Sequence, residues 1–297
     1  MVAVATIAIP TFNRLATLRV AMASALRQDY GHLRVVIYDN ASTDGTAEYC
    51  ESVAAADSRV AVVRHPANVG AAGNFRAALE EAEGDFFMWL ADDDWLAPNY
   101  VSECTRQLAL HPDAILAAPA VEYYKESRHV MHAPALALID DDARRRVTQI
   151  FWNTSDNGLF YGLYRVAAVR DIWLDSRFGA DLRFIAEVSA IGKIVACEGA
   201  TLHRSLHGIS TDPETLWLEI EIPRQFRTKP FAWLAWEVFR RVSLDSRSFG
   251  ALSRTARVGV GVRSAGILLR RFCKPIWYEK LRSQVLTARR RSTTSGQ

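Results

Sequence analysis

Short apolar runs alternate with amphipathic stretches through the first hundred residues. Thr6 to Pro10 is a continuous apolar run of strand length, and Ala16 to Gln28 places Leu18, Met22, Ala25 and Leu26 on one helical face. Leu33 to Tyr38 predicts a second strand that ends at Asp39-Asn40. The turn-forming Ser42-Thr43-Asp44-Gly45-Thr46 follows, then a helix to about Ala55. Val60 to Arg64 predicts a third strand, followed by a loop with Asn68 and Gly70, a helix from Asn74 to Ala82 and a strand from Phe86 to Leu90. Strands and helices alternating at these lengths predict an α/β fold: a mostly parallel, Rossmann-like sheet flanked by helices, with right-handed crossovers.

The last of these strands stops on Asp92-Asp93-Asp94, and the carboxyl ends of parallel strands are where open α/β sheets bind ligands. Neighbouring carboxylates repel one another, so a hard divalent cation is one partner that would hold them together. A solvated acidic loop, or Asp94 capping a helix that begins at Trp95 or Pro98, is the plainer alternative. Neither GxGxxG after the first strand nor GxxxxGK[ST] anywhere occurs, so the usual dinucleotide and P-loop signatures are excluded.

With 297 residues, 49% hydrophobic and 23% charged, the chain can bury a substantial core. The net charge of +3 hides an asymmetry: residues 1–222 carry 19 Lys or Arg against 30 acids, whereas residues 223–297 carry 17 against three (Glu237, Asp245 and Glu279). Cys50, Cys104, Cys197 and Cys273 are widely spaced, which predicts reduced thiols in a cytoplasmic protein. The opening Met-Val-Ala-Val-Ala-Thr-Ile-Ala-Ile-Pro lacks a basic start and reads as the first buried strand rather than a signal peptide.

Four short motifs then occur in order: Ile-Pro-Thr-Phe-Asn-Arg (9–14), Tyr-Asp-Asn-Ala-Ser-Thr-Asp-Gly-Thr (38–46), Asn-Val-Gly (68–70) and Trp-Leu-Ala-Asp-Asp-Asp-Trp-Leu (89–96). Over roughly residues 1–211 this order resembles the family 2 glycosyltransferases of the GT-A fold. The resemblance implies a catalytic domain over 1–211, with a nucleotide-sugar-binding half (1–100) and an acceptor half (101–211), and a basic helical C-terminal region over 212–297. It also implies an inverting, metal-dependent transferase. Pro10, Thr11, Asn13 and Arg14 would border the nucleoside, Asp39 would meet the base, and Asn68, Asp92, Asp93 and Arg204 would complete the donor site. Mn²⁺ or Mg²⁺ would be held by Asp93, Asp94 and His207. Relatives often have Asp-Asp where this chain has Asp39-Asn40, and Asp-x-Asp-Asp where it has Ala91-Asp92-Asp93-Asp94.

Asp181, eleven residues ahead of Gly192-Lys193, matches the position of the family's catalytic base, with Glu187 as the runner-up; an N-terminal helix cap is the alternative for Asp181. Asn157 to Arg165 predicts a hairpin or strand whose Tyr161 and Tyr164 either pack in the core or stack a sugar. Lys193 to Cys197 predicts a short strand, followed by Thr201 to Thr211, which is similar to the family segment that closes over the diphosphate.

In the last part, Phe231 to Arg241 and Leu252 to Ala288 mix apolar residues with regularly spaced arginine, and no run reaches the roughly 18 apolar residues of a spanning helix. Such helices suit an anionic bilayer at the inner face of the cell membrane, or packing on the acidic domain or on another subunit. No recognised nucleic-acid-binding fold occurs. The expected function is transfer of a sugar from a nucleotide-diphosphate sugar to a hydroxyl of a glycan or lipid-linked acceptor in cell-envelope polysaccharide synthesis. The alternative is a catalytically silent nucleotide-sugar-binding scaffold, kept open by Asn40, Ala91 and Ala180.

Overall fold

A computed structural model describes residues 3–153, 156–206, 221–245 and 247–272. The first half is a parallel βα repeat: β1 (Ala5–Thr11), α1 (Leu15–Leu26), β2 (Leu33–Asp39), α2 (Thr46–Ala56), β3 (Val60–Arg64), α3 (Gly70–Glu80) and β4 (Phe86–Trp89). β1 lies between β2 and β4, with Ala5 opposite both Leu33 and Phe86. Every residue of β1 and β4 is buried, which is why these strands read as unbroken apolar runs.

The second half is mixed. β5 (Trp95–Leu96), α4 (Tyr100–Leu110), β6 (Ala114–Lys125), β7 (Arg128–Ala133), α5 (Ala143–Asn153), a 3₁₀ turn (Gly158–Tyr161), β8 (Leu163–Arg165), α6 (Val166–Val169), α7 (Ala180–Ile191) and β9 (Lys193–Ser205) follow. Nine strands form one sheet in the order β3-β2-β1-β4-β8-β6-β9-β5, with β7 on β6. Antiparallel β8 bridges parallel β4 and β6, so a single sheet runs through both halves.

A cluster around Trp89 seals that junction. Its indole stacks on Phe160 at 4.4 Å and 7°, meets Phe87, Tyr164 and Phe184 edge-on, and donates to the Phe75 carbonyl at 3.0 Å. Tyr164 is therefore core: fully buried, its hydroxyl bonds the carbonyls of Leu159 and Phe160, and it is not a sugar platform.

Two local expectations are corrected. Trp95-Leu96 opens no helix; it pairs with His203 and Leu202 of β9, so Asp94 does not cap a helix. The strand expected over Lys193 to Cys197 continues to Ser205, because β6 supplies partners along its whole length across an irregularity at Pro119/Ala120.

The C-terminal helices α8 (Pro230–Leu244) and α9 (Arg254–Phe272) join the same hydrophobic core through Leu234, Val238, Val242, Ile267 and Leu268. Among the described residues no helix is long and apolar enough to cross a membrane. Cys50, Cys104 and Cys197 are buried free thiols, and Cys273 lies outside the described residues.

Candidate active site

The three carboxylates after β4 diverge. Asp92 turns back to β1, where the Thr11 hydroxyl donates to its Oδ2 at 2.8 Å. Asp93 faces Arg14, whose Nη1 donates to Asp93 Oδ2 at 2.9 Å and lies 3.5 Å from Asp92 Oδ1. Asp94 is 1% exposed and turns to β9, accepting from Arg204 Nε at 2.9 Å and the Ser205 amide at 3.0 Å. A charge run that looks self-repelling in sequence is thus split between a hydroxyl on β1 and two guanidiniums, on the β1–α1 loop and β9.

Thr11, Arg14, Asp92, Asp93, Arg204 and Ser205, but not Asp94, edge a cavity of about 460 Å³ at the carboxyl ends of β1 and β4. Of the residues the sequence singled out for donor binding, Pro10, Thr11, Arg14, Asn68, Asp92, Asp93 and Arg204 line it. Asn13 and Asp39 do not. Asn13, at φ 51°, accepts from the Thr43 amide at 2.8 Å and so ties the β1–α1 loop to the β2–α2 loop. Asp39 is fully buried at the end of β2; its Oδ1 accepts from the Ser42 amide at 3.1 Å, while Oδ2 has no hydrogen bond and lies 3.3 Å from Arg64 Nε.

Further wall residues were not assigned to the donor site from the sequence: Phe12, Asn40, Gly70, Asn157, Ser205 and Tyr161, the last weighed there only as core or as a platform for a sugar. Asn40, placed where relatives often carry Asp, makes a polar latch. Its Nδ2 donates to Asn68 Oδ1 at 2.9 Å, and its Oδ1 accepts from the Val69 amide at 2.8 Å. Asn68 Oδ1 also accepts from the Gly70 amide at 2.8 Å. The latch starts α3 at Gly70 (φ 76°), a turn before the expected Asn74, and puts the positive end of that helix in the cavity wall.

Asn157 and Tyr161 hold Arg204 from the other side. Arg204 donates to Asn157 Oδ1, and its guanidinium lies over the Tyr161 ring at 4.6 Å. The Tyr161 carbonyl in turn accepts from the buried Tyr100 hydroxyl at 2.7 Å. Burial raises the Tyr161 phenol well above its ordinary range; Arg204 opposes that rise, and Asp94, Asp93 and Asp181 add to it. Four charged groups from three separate stretches of the sequence therefore act on one hydroxyl.

Asp181 sits in the first turn of α7, half-buried, with Oδ1 accepting from the Leu182 amide at 2.8 Å. That turn is set by Gly179 (φ 73°), where an added Cβ would come within 2.5 Å of Leu234 in α8. Glu187 is turned away. Buried on the far side of α7, it accepts from Arg241 Nε at 2.6 Å and from the Ser248 hydroxyl, so it fastens α7 to the C-terminal helices. His207, expected as a metal ligand, lies outside the described residues.

The electrostatics predict a pH response. Burial raises Asp92 to about 7 against the pull of Arg14, and raises Asp94 to about 6 against the pull of Arg204. An unfolded aspartate titrates near 3.8, so the folded chain holds protons that the unfolded chain has released. This contribution to stability is complete below about pH 4 and is lost as pH rises through about 6 and 7. The ligand-free protein is expected to melt at a lower temperature at pH 8 than at pH 5.5, and Asp92→Asn to flatten the slope. A melting temperature that climbs over this interval would contradict the assignment.

Comparison with known proteins gives the family and the fold. The family model for glycosyl transferase family 2 matches residues 6–173. An uncharacterized glycosyltransferase of Haemophilus influenzae is 32% identical over 91 residues, covering 31% of this chain and 36% of the relative. A Campylobacter jejuni GalNAc(5)-diNAcBac-PP-undecaprenol beta-1,3-glucosyltransferase is 32% identical over 95 residues, covering 32% of this chain and 31% of the relative. The chain thus spans about a third of the length of these curated relatives.

In structure, Staphylococcus aureus TarS 1-349 in complex with UDP superposes with a TM-score of 0.58 at 16% identity, covering 90% of this chain and 80% of that one. The mannosyltransferase PcManGT of Pyrobaculum calidifontis, in complex with GDP-Man and Mn²⁺, superposes with a TM-score of 0.52 at 14% identity, covering 97% and 81%. At these identities the likeness is one of fold, and the fold is of the GT-A type. The family match takes in β1 through α6, with every carboxylate and guanidinium of the donor-side wall except Arg204, and the chain belongs to glycosyl transferase family 2.

Proposed function

We propose that this protein transfers a sugar from a nucleotide-diphosphate sugar, with inversion, to a hydroxyl of a glycan or lipid-linked acceptor in cell-envelope polysaccharide synthesis. The observation that carries the reading is the cavity in which Arg14, Arg204 and the start of α3 face Asp92 and Asp93. Cations and a helix N-terminus suit the diphosphate.

The carboxylates fit a divalent cation. Among the described residues no group of three or more His, Cys, Asp or Glu side chains is disposed to hold an ion. Mg²⁺ ordinarily needs no such cage, because it binds through one or two carboxylates plus substrate phosphates. Asp93, backed by Asp92, would hold it, while both Asp94 oxygens are engaged by β9. When bound, the ion would supply Lewis-acid stabilisation of charge on the leaving diphosphate.

Asp181 accepts the acceptor's hydroxyl proton as that oxygen attacks the anomeric carbon. The bond from that carbon to the diphosphate oxygen breaks, and its electron pair leaves with the nucleoside diphosphate. A single displacement of this kind inverts the anomeric centre. Incubation with UDP-, GDP-, CDP- and dTDP-sugars and Mn²⁺, with release of the nucleoside diphosphate measured, tests the reading. Nucleotide binding without turnover on any donor or acceptor would favour the scaffold instead.

Arg14 gives a separate prediction. It occupies Asp93 with a positive charge, so Arg14→Gln is expected to tighten Mn²⁺ binding to nucleotide-free protein by about tenfold, as loss of one nearby like charge requires. Calorimetric titration reads the change; an unaltered affinity would place the ion away from Asp93.

A further inference from the structure

We propose that the outward face of α9 seats the protein on an anionic lipid bilayer, an inference that deepens the reading of a lipid-linked acceptor. α9 buries Val260, Gly261, Ser264, Ile267 and Leu268 against the protein. Its opposite side leaves Val258, Val262 and Leu269 exposed by 41%, 58% and 44%. At 3.6 residues per turn these three fall within about 40° of one another, forming an apolar stripe along the helix.

Exposed Arg254 lies on one side of the stripe and exposed Arg263 and Arg270 on the other, and no carboxylate among the described residues pairs with any of the three. An apolar stripe between unpaired cations is the pattern of a helix lying in a bilayer interface. Beside Arg263, a groove of about 420 Å³ between α5 and α9 is lined by Arg144, Arg145, Thr148 and Asp142. The first two arginines there are partly neutralised by Asp142 and Asp140, which leaves Arg263 as its uncompensated charge.

Charge selects the occupant. The sequence holds no Asp or Glu between Asp245 and Glu279, so a second copy docked through this helix face would set arginines against arginines, and the nearest acids beside the groove, Asp140 and Asp142, are already paired with Arg145 and Arg144. Phosphate headgroups supply the missing negative charge, and acyl chains cover the stripe. α9 packs on α5 and α5 on α7, so a bilayer under α9 lies on the half of the molecule that carries Asp181.

Cosedimentation of the full chain with vesicles tests this, without donor or acceptor. Binding to phosphatidylcholine vesicles containing phosphatidylglycerol is expected, weakened by high salt, with little binding to phosphatidylcholine alone. The triple variant Arg254→Gln, Arg263→Gln, Arg270→Gln should lower the partition coefficient roughly 100-fold, and Val258→Ser, Val262→Ser, Leu269→Ser should also release the protein. Unchanged melting temperatures will certify folding, since all six side chains are exposed.

Equal binding to both vesicle types, or wild-type binding by both triple variants, overturns the proposal. So does a dimer in sedimentation analysis that the serine variant dissolves, because the face would then belong to a second copy. Nucleoside diphosphate release is read separately, so loss of vesicle binding and loss of transfer are distinguishable failures.

Discussion

Asp181→Asn should lower the transfer rate by roughly 10²- to 10⁴-fold, the range that a positioned general base contributes. The amide keeps the size of the side chain and can still accept from the Leu182 amide, but it cannot take a proton from the acceptor hydroxyl. The donor cavity is walled by other elements, so the rise in melting temperature on adding nucleoside diphosphate with Mn²⁺ should survive. Loss of a negative charge from the first turn of α7 costs about 0.3–1 kcal/mol, too little to unfold the chain. Full activity in the variant would remove Asp181 from the chemistry; loss of both activity and nucleotide response would make it structural.

The second large effect concerns stability. Arg204→Ala strands the Asp94 carboxylate, 1% exposed, with the Ser205 amide as its one remaining hydrogen-bond partner among the described residues. Breaking a buried ion pair by removing one member costs about 3–5 kcal/mol. The pair is ionic at neutral pH. Burial works against the Arg204 charge but the Asp94 carboxylate raises its pKa, and Arg204 in turn restrains the rise at Asp94. Denaturant unfolding should show the loss in Arg204→Ala and a smaller one in the double variant Asp94→Asn, Arg204→Met, where no buried charge is left alone. An Arg204→Ala protein as stable as the wild type would mean that water reaches Asp94. The pair also fastens the Asp92–Asp94 turn to the end of β9, so donor affinity should fall along with stability.

Asp94 illustrates how the site divides. The sequence marks three neighbouring carboxylates as one acidic feature, whereas the fold gives each its own partner. Asp92 meets the Thr11 hydroxyl, Asp93 faces the cavity and Arg14, and Asp94 turns to β9. Glu187 resembles a second base in sequence because it follows Asp181 on the same helix, yet its carboxylate closes an ion pair with Arg241. Asn40, one of the substitutions compatible with a silent scaffold, builds the wall of the cavity through Asn68.

What the sequence determined by itself was the parallel βα half and the ends of its strands. β1, β2, β3 and β4 fall within a residue of the positions their apolar runs predict; for β1, β2 and β4 the reason is that a strand buried on both faces must be apolar almost throughout. The motifs at those ends placed Thr11, Arg14, Asn68, Asp92 and Asp93 in one cavity. Tertiary structure alone decided the rest. Trp95-Leu96 is a strand only because β9 pairs with it, and α3 starts at Gly70 only because Asn40 and Asn68 meet across 28 residues of chain. Asn157 and Tyr161 enter the site through Arg204, far along the chain. Periodicity records which face of an element is buried, whereas the partner that buries it, and the direction a polar side chain then takes, depend on contacts between distant segments that no local pattern encodes.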